Sequence, residues 1–280
     1  MSGASAPTAA PAETYKIRCS EIWGGSAVKQ DQIETPGARA AIHSSASGDA
    51  QGGDLYYFSV CAYDTLTRIA VADVRGHGAA VSHLSEWLYE ALERRMNDPD
   101  GAAVLTDLNG IVRERGFEAI TTAVVATFHR DKRLLSFAYA GHPPMFLGRT
   151  GQDWQPLEAG RTSGPANLPL GMFPGARFTQ EQIRLEPGDR LFLYSDGVSE
   201  CPGAGEEIYA DGRMPATLER SRPLPLPAAR DVIRDDLIGY ARGPLLHDDC
   251  TFMLIEPLPP VPLWKRRIFP GKKPAVKTSV

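Results

Sequence analysis

Residues 69–78 read IAVADVRGHG, four apolar or small residues from Ile69 to Ala72 running straight into Asp73, then Val74 and Arg75 before Gly76-His77-Gly78. An acid at the tip of a buried-looking strand, followed by a turn nearly free of side chains, is the feature that organises the chain. Upstream, LYYFSVCA (55–62) has the aromatic and β-branched content of a strand, and YDTLTR turns it into RIAVAD as a hairpin. Downstream the period changes: Val81, Leu84, Leu88, Ala91 and Leu92 recur at three and four residues, predicting a helix over 79–96. Asn97-Asp98-Pro99 stops it, because the proline biases Asp98 away from helical angles.

A second helix is expected over 100–115, with Ala103, Leu108, Ile111 and Val112 on one side. TTAVVATF, LLSFAYAG and PMFLGR then read as three short strands, and RFTQEQIRL, RLFLYSDG and CTFMLIEP as three more. IRCSEIW and RAAIHSS are expected to be short strands near the start, with most of 24–54 a Gly/Ser/Ala-rich loop. A polar loop is expected after RLFLYSDG, followed by a helix over 227–242. Strands and helices do not alternate strictly, so an α+β architecture with two antiparallel sheets covered by helices fits better than a βαβ fold. Residues 1–14 are expected to be disordered, 15–257 to form one domain, and 258–280 to be a basic, proline-containing tail with Trp264 and Phe269.

Composition narrows the function classes. The chain has 280 residues, 34 acids against 30 bases and a formal charge of -4, which demands no nucleic-acid partner. Its four cysteines show no metal-like spacing, no apolar run approaches membrane-spanning length, and MSGASAPTAAPAETYK lacks a secretory pattern, so a cytoplasmic location is expected.

Acids recur at strand ends. Asp54 precedes a strand in GGDLYYF, Asp196 follows one in YSDGVSE, and Asp248 and Asp249 precede one in HDDCTFMLI. If these ends converge, mutual repulsion raises their pKa values unless cations are present. Carboxylates and carbonyls suit Mg²⁺ or Mn²⁺, and two such ions would suit in-line displacement at phosphorus. An Asp-Gly step also makes an ordinary turn, and pattern alone leaves both readings open.

The ordered set GGDLYYF, IAVADVRGHG, FAYAGHPPMFL, LPLG, EPGDRLFLYSDGVSE and HDDCT closely resembles the PP2C-like (PPM) serine/threonine phosphatases, and within them the bacterial SpoIIE/RsbU-like branch. The resemblance runs from about residue 40 to 256. It implies a four-layer α-β-β-α sandwich with two central antiparallel β-sheets. It also implies two Mn²⁺ or Mg²⁺ ions bridged by Asp73, one of them held by the Val74 carbonyl, with Asp196 and Asp248 on the other. Asp54 would act chiefly through coordinated water, and Asp249 would orient Asp248 or join a further metal. The reaction implied is hydrolysis of phosphoserine or phosphothreonine by metal-activated water, with no phosphoenzyme and no cysteine nucleophile.

His77 is a candidate proton donor to the leaving oxygen, or a supporting residue at a helix start that disfavours imidazolium. Arg75 is a candidate phosphate contact, against a plain solvated turn arginine. Tyr57 stands where many relatives carry an acid. The resemblance further implies a phosphorylated protein substrate such as a STAS-like anti-sigma-factor antagonist, with switching and homodimer contacts at the first two helices. About 40 residues precede the first motif, so no sensor domain is expected. A noncatalytic scaffold that keeps the fold and a metal-dependent phosphodiesterase are the competing readings.

Overall fold

The computed structural model describes residues 14–48, 51–61, 64–158, 167–205 and 207–260. Residues 1–13 of the expected disordered start, and 261–280 of the tail, lie outside them.

Among the described residues thirteen strands form two sheets. The first carries, in spatial order, β1 (Thr14–Lys16), β3 (Lys29–Glu34), β4 (Ala38–Ser45), β13 (Cys250–Pro257), β12 (Arg190–Tyr194), β9 (Phe146–Gly148) and β10 (Gln155–Pro156). The second carries β11 (Gln180–Arg184), β8 (Leu134–Ala140), β7 (Thr121–His129), β6 (Leu66–Val74), β5 (Gln51–Cys61) and β2 (Ile22–Ala27). The strands pair antiparallel throughout, except that β1 joins β3 in parallel.

Period-2 alternation divides the core into layers. Tyr56, Phe58, Ile69, Val71, Ile42, Leu191, Leu193 and Met253 fill the space between the sheets. Their neighbours Leu55, Tyr57, Ala70 and Ala72 face outward, onto α1 (Ser82–Glu93) and α2 (Gly101–Arg115). On the other side Phe192, Tyr194, Phe252 and Leu254 meet α4 (Arg213–Ser221) and α5 (Leu226–Ala241). The result is the expected α-β-β-α sandwich. No helix among the described residues is long and apolar enough to cross a membrane.

Four expectations change. IRCSEIW (17–23) is not one strand, since residues 17–21 lie between β1 and β2 and only Ile22 and Trp23 belong to β2. The loop expected over much of 24–54 holds β3, whose polar KQDQIE becomes a strand by pairing with β4, Asp31 lying opposite Ile42 and Ile33 opposite Ala40. The polar loop after β12 holds the short α3 (Asp196–Ser199) and then α4, whose core face is only Met214, Thr217, Leu218 and Ser221. A single aspartate fastens α4 to α5, since Asp236 accepts from Arg213, Arg220, Thr217 and Tyr209. The helix expected over 79–96 is regular only from Ser82 to Glu93, because Gly78–Ala80 form a 3-10 turn.

Candidate active site

Asp54 and Asp73 are direct cross-strand partners in the β5–β6 hairpin. Both continue the row of side chains that fills the layer between the sheets, so the hydrophobic layer ends in two facing carboxylates. Asp54 is the deeper, 3 % exposed, and Asp73 is half-buried. Asp196 opens α3 at the end of β12, and Asp248 lies just before β13, both half-buried.

The electrostatics show that these acids share one locality. Burial holds Asp73 well above the usual carboxylate range, and Asp54, Asp196, Asp248 and Asp249 push the same way. Burial likewise raises Asp54; hydrogen bonding from Ser195 and Thr251 opposes the rise, and Asp249 and Asp196 reinforce it. Asp248 is raised chiefly by burial, with Asp196 and Asp249 adding to it and the nearby His77 opposing.

Hydroxyls from the first sheet support the deep acid. Ser195 Oγ donates to Asp54 Oδ2 at 2.7 Å, and Thr251 N donates to Ser195 Oγ at 3.0 Å. Asp54 Oδ1 is buried without a partner of hydrogen-bonding geometry, although the Thr251 side chain is close enough to favour its ionised form. Sequence reasoning missed Ser195. The signal was the alternation of RLFLYS, which sets Ser195 on the inward row of Leu191 and Leu193. Replacing it, Ser195→Ala, is expected to destabilise the protein by about 1–3 kcal/mol by stripping a buried acceptor of its donor. Urea unfolding reads this directly, and an unchanged midpoint would contradict it.

Asp249 behaves differently from its neighbours. Oδ1 accepts from Ser47 N at 2.7 Å, Oδ2 accepts from Gly53 N at 2.6 Å, and Gly78 N donates to the same carboxylate at 3.0 Å. Three backbone amides thus engage both oxygens, tying β5 to the Gly-His-Gly turn. That turn needs its glycines, for Gly76 and Gly78 have φ of 101° and 67°. A Cβ on Gly53 would lie 2.7 Å from the Val74 carbonyl oxygen and 3.0 Å from that of Gly76. The bare α-carbon lets both carbonyls close on the strand that carries Asp54.

His77 is exposed and caps the 3-10 turn without a side-chain hydrogen bond to it. The Arg75 guanidinium lies over the Phe117 ring, 5.3 Å from its centre. Tyr57, 1 % exposed, packs on the helix side of its sheet against Tyr89, on the face opposite Asp54 and Asp73. His247 bonds the Gly197 carbonyl at 2.7 Å, and buried His142 meets Thr122 Oγ1 at 2.9 Å.

Among the described residues no three Asp, Glu, His or Cys side chains close on one point that would hold an ion. The carboxylates turn instead to protein donors, Asp54 to Ser195, Asp248 to the Asp249 amide and Asp249 to its three amides. The donor set nonetheless fits a hard divalent cation. It offers carboxylate and carbonyl oxygens only, mutual repulsion that a cation would relieve, and a buried oxygen, Asp54 Oδ1, still lacking a partner.

A sandwich of this layering with acids at the end of the inter-sheet layer defines the PP2C-like class. The SpoIIE domain of stage II sporulation protein E matches residues 63–257, and the chain belongs to that family. It is 31% identical over 183 residues to phosphoserine phosphatase RsbU of Bacillus subtilis, covering 63% of this chain and 50% of that protein. The chain spans half or less of the length of the curated relatives it matches. Its fold superposes on the SiaA-PP2C domain of Pseudomonas aeruginosa with a TM-score of 0.67, 22% identity, and 78% and 85% of the two chains covered. It superposes on the PP2C phosphatase domain of SpoIIE from Bacillus subtilis with a TM-score of 0.67 and 22% identity, covering 80% and 64%.

Proposed function

We propose that the protein is a Mn²⁺- or Mg²⁺-dependent phosphatase that hydrolyses phosphoserine or phosphothreonine on a signalling protein. The observation that carries this reading is the pairing of Asp54 with Asp73 at the end of the inter-sheet layer, with Asp196 and Asp248 close enough to perturb Asp73. In this reading Asp54, Asp73, Asp196, Asp248 and the Val74 carbonyl hold two cations. Bound cations supply charge neutralisation at the phosphoryl group and a more acidic water.

The chain's own residues supply position and protons. Ser195 fixes the rotamer of Asp54, and Asp249 locks the turn that carries Val74 and His77. In this reading His77, exposed and acting electrostatically on Asp248, either gives a proton to the serine or threonine oxygen as it leaves or supports the turn that carries it. The named activity of RsbU supports the phosphoserine class. A phosphorylated STAS-like antagonist of an anti-sigma factor is the proposed partner in that setting.

The test is manganese-dependent release of phosphate from a phosphoserine peptide, beside a phosphodiester. Cleavage of the diester alone would select a phosphodiesterase. A noncatalytic scaffold is favoured by one observation, the absence of three side chains closing on a point among the described residues. Bound cation without turnover of any phosphomonoester would select it.

Metal removal carries a pH signature. Asp54, Asp73 and Asp248 have folded pKa values above their unfolded ones, so the cation-free fold binds more protons than the unfolded chain. Their contribution to stability is fully present below about pH 4 and is lost as pH rises through the raised values. In chelator, melting temperature from this source should therefore fall with rising pH. At one fixed Mg²⁺ concentration the stabilisation should be larger at pH 7.5 than at pH 5, and a concentration about a hundredfold above the pH 7.5 Kd should add about 2.7 kcal/mol at pH 7.5. An equal Mg²⁺ effect at both pH values would contradict the cluster as the cation site.

A further inference from the structure

Six large apolar side chains stand exposed among the described residues, and three of them, Phe117 at 74%, Met172 at 52% and Phe173 at 45%, are carried by segments fastened to α2 and to the start of β7, where Thr121 pairs with Val74. Phe117 follows α2 after a single glycine. The segment carrying Met172 and Phe173 is fastened to the same helix, since Asn109 Nδ2 donates to the Phe173 carbonyl at 3.1 Å and Asn109 Oδ1 accepts from Gly171 N at 2.9 Å. Reciprocal hydrogen bonds between Thr121 and Leu170 hold that segment against the start of β7. Single exposed apolar residues are ordinary, but several carried on segments fastened to one another point to a contact surface.

Arg75 joins this surface to the acids. Its guanidinium lies 5.3 Å from the centre of the Phe117 ring, and its amide donates to the Ile120 carbonyl at 2.8 Å. Among the described residues it makes no ion pair. It lies two residues past Asp73, about 7 Å of extended chain. An apolar strip edged by an uncompensated guanidinium complements a chain that is both anionic and apolar. A nucleic acid supplies the charge but no side chain to fill the strip.

Resting on the phosphatase reading above, we propose that Phe117, Met172 and Phe173 form a docking strip for the phosphoprotein substrate. The strip receives an apolar side chain two to four residues from the phosphorylated one, while Arg75 faces the phosphoryl end. Two to four residues of extended peptide reach about 7–14 Å.

Two phosphoserine decapeptides test this, identical except for leucine or serine three residues to either side of the phosphoserine. Both kcat/KM with Mn²⁺ and Kd by fluorescence anisotropy are measured. Wild type should favour the leucine peptide by about tenfold or more in each. Phe117→Ser combined with Met172→Ser should narrow the preference below about threefold, whereas Val28→Ser, at an exposed apolar site on the β2–β3 turn, should keep it. Hydrolysis of 4-nitrophenyl phosphate and the melting temperature normalise each variant for site and fold. Equal treatment of the two peptides by wild type, or a preference that survives the double change, would overturn the docking strip. Absence of hydrolysis of every substrate would reject the phosphatase reading instead, and the anisotropy comparison would still decide the strip.

Discussion

Asp73→Asn should abolish divalent-dependent release of phosphate from a phosphoserine peptide while making the cation-free protein harder to melt. The two effects have one cause. Asp73 faces Asp54 across the β5–β6 ladder and is pushed up by burial and by four carboxylates, Asp54 among them. An amide of nearly the same shape removes a negative charge from that group and relieves repulsion at neutral pH. It also removes the oxygen proposed to bridge both cations. Loss of an outer partner of a metal ligand typically costs about 10–100-fold, so loss of the bridging carboxylate should exceed about a hundredfold in kcat/KM. Phosphate release and a melt in chelator check the pair. A variant that is inactive but less stable than wild type would mean that Asp73 serves the fold, and one that stays active would remove it from the chemistry. A gain in stability with a loss of function is the signature of a site whose charges are costly to the empty fold.

Gly197→Ala is the second large effect expected. Gly197 follows Asp196 at the start of α3, and a Cβ there would run into the backbone carbonyl of Asp249 and sit 3.3 Å from the Asp248 Cβ. The obstacle is backbone, which cannot swing aside as a flexible side chain would. Room can come only from displacing the Asp248–Asp249 turn, and that turn carries the amide clamp onto Gly53 and Gly78. A single methyl group should therefore destabilise the protein by about 1–3 kcal/mol and disorganise Asp196, Asp248 and the Gly-His-Gly turn together. Urea unfolding gives the first quantity and cation affinity the second. Wild-type affinity in a folded Gly197→Ala protein would show that the close approach is dispensable.

The parts of the fold legible in the sequence were those with a strong period. LYYFSVCA and RIAVAD alternate over apolar residues and become β5 and β6, while CTFMLIEP becomes β13 with the same limits. The stripe from Val81 to Leu92 becomes α1, shortened at its start because positive φ at Gly78 delays regular winding. What failed to show was structure made by partners. KQDQIE has no apolar alternation, and it is a strand because β4 pairs with it. RMPATLERS turns only four residues to the core, and its docking depends on Asp236 of a later helix.

The acids divide in the same way. Asp73, Asp196 and Asp248 lie at or beside strand ends as read, whereas Asp54 lies three residues inside β5 rather than before it; the order in which strands lie side by side, which decides which carboxylates meet, was not visible. β12 and β13 are neighbours and bring Asp196 beside Asp248, whereas Asp54 meets them across the sandwich through Ser195. The role of Asp249 as a clamp was equally hidden, because its partners are amides at positions 47, 53 and 78, far away in the chain. Tyr57 raised a question that the pleat answers, since it lies one face away from the acids and packs on α1.

Anomalous diffraction from crystals soaked in Mn²⁺ tests the central proposal most directly. Two manganese peaks are predicted at the end of the inter-sheet layer, one on each side of Asp73, with the Val74 carbonyl on the first and Asp196 and Asp248 on the second. Peaks only at surface carboxylates, or none at this end of the sandwich under soaking that saturates the protein, would contradict it.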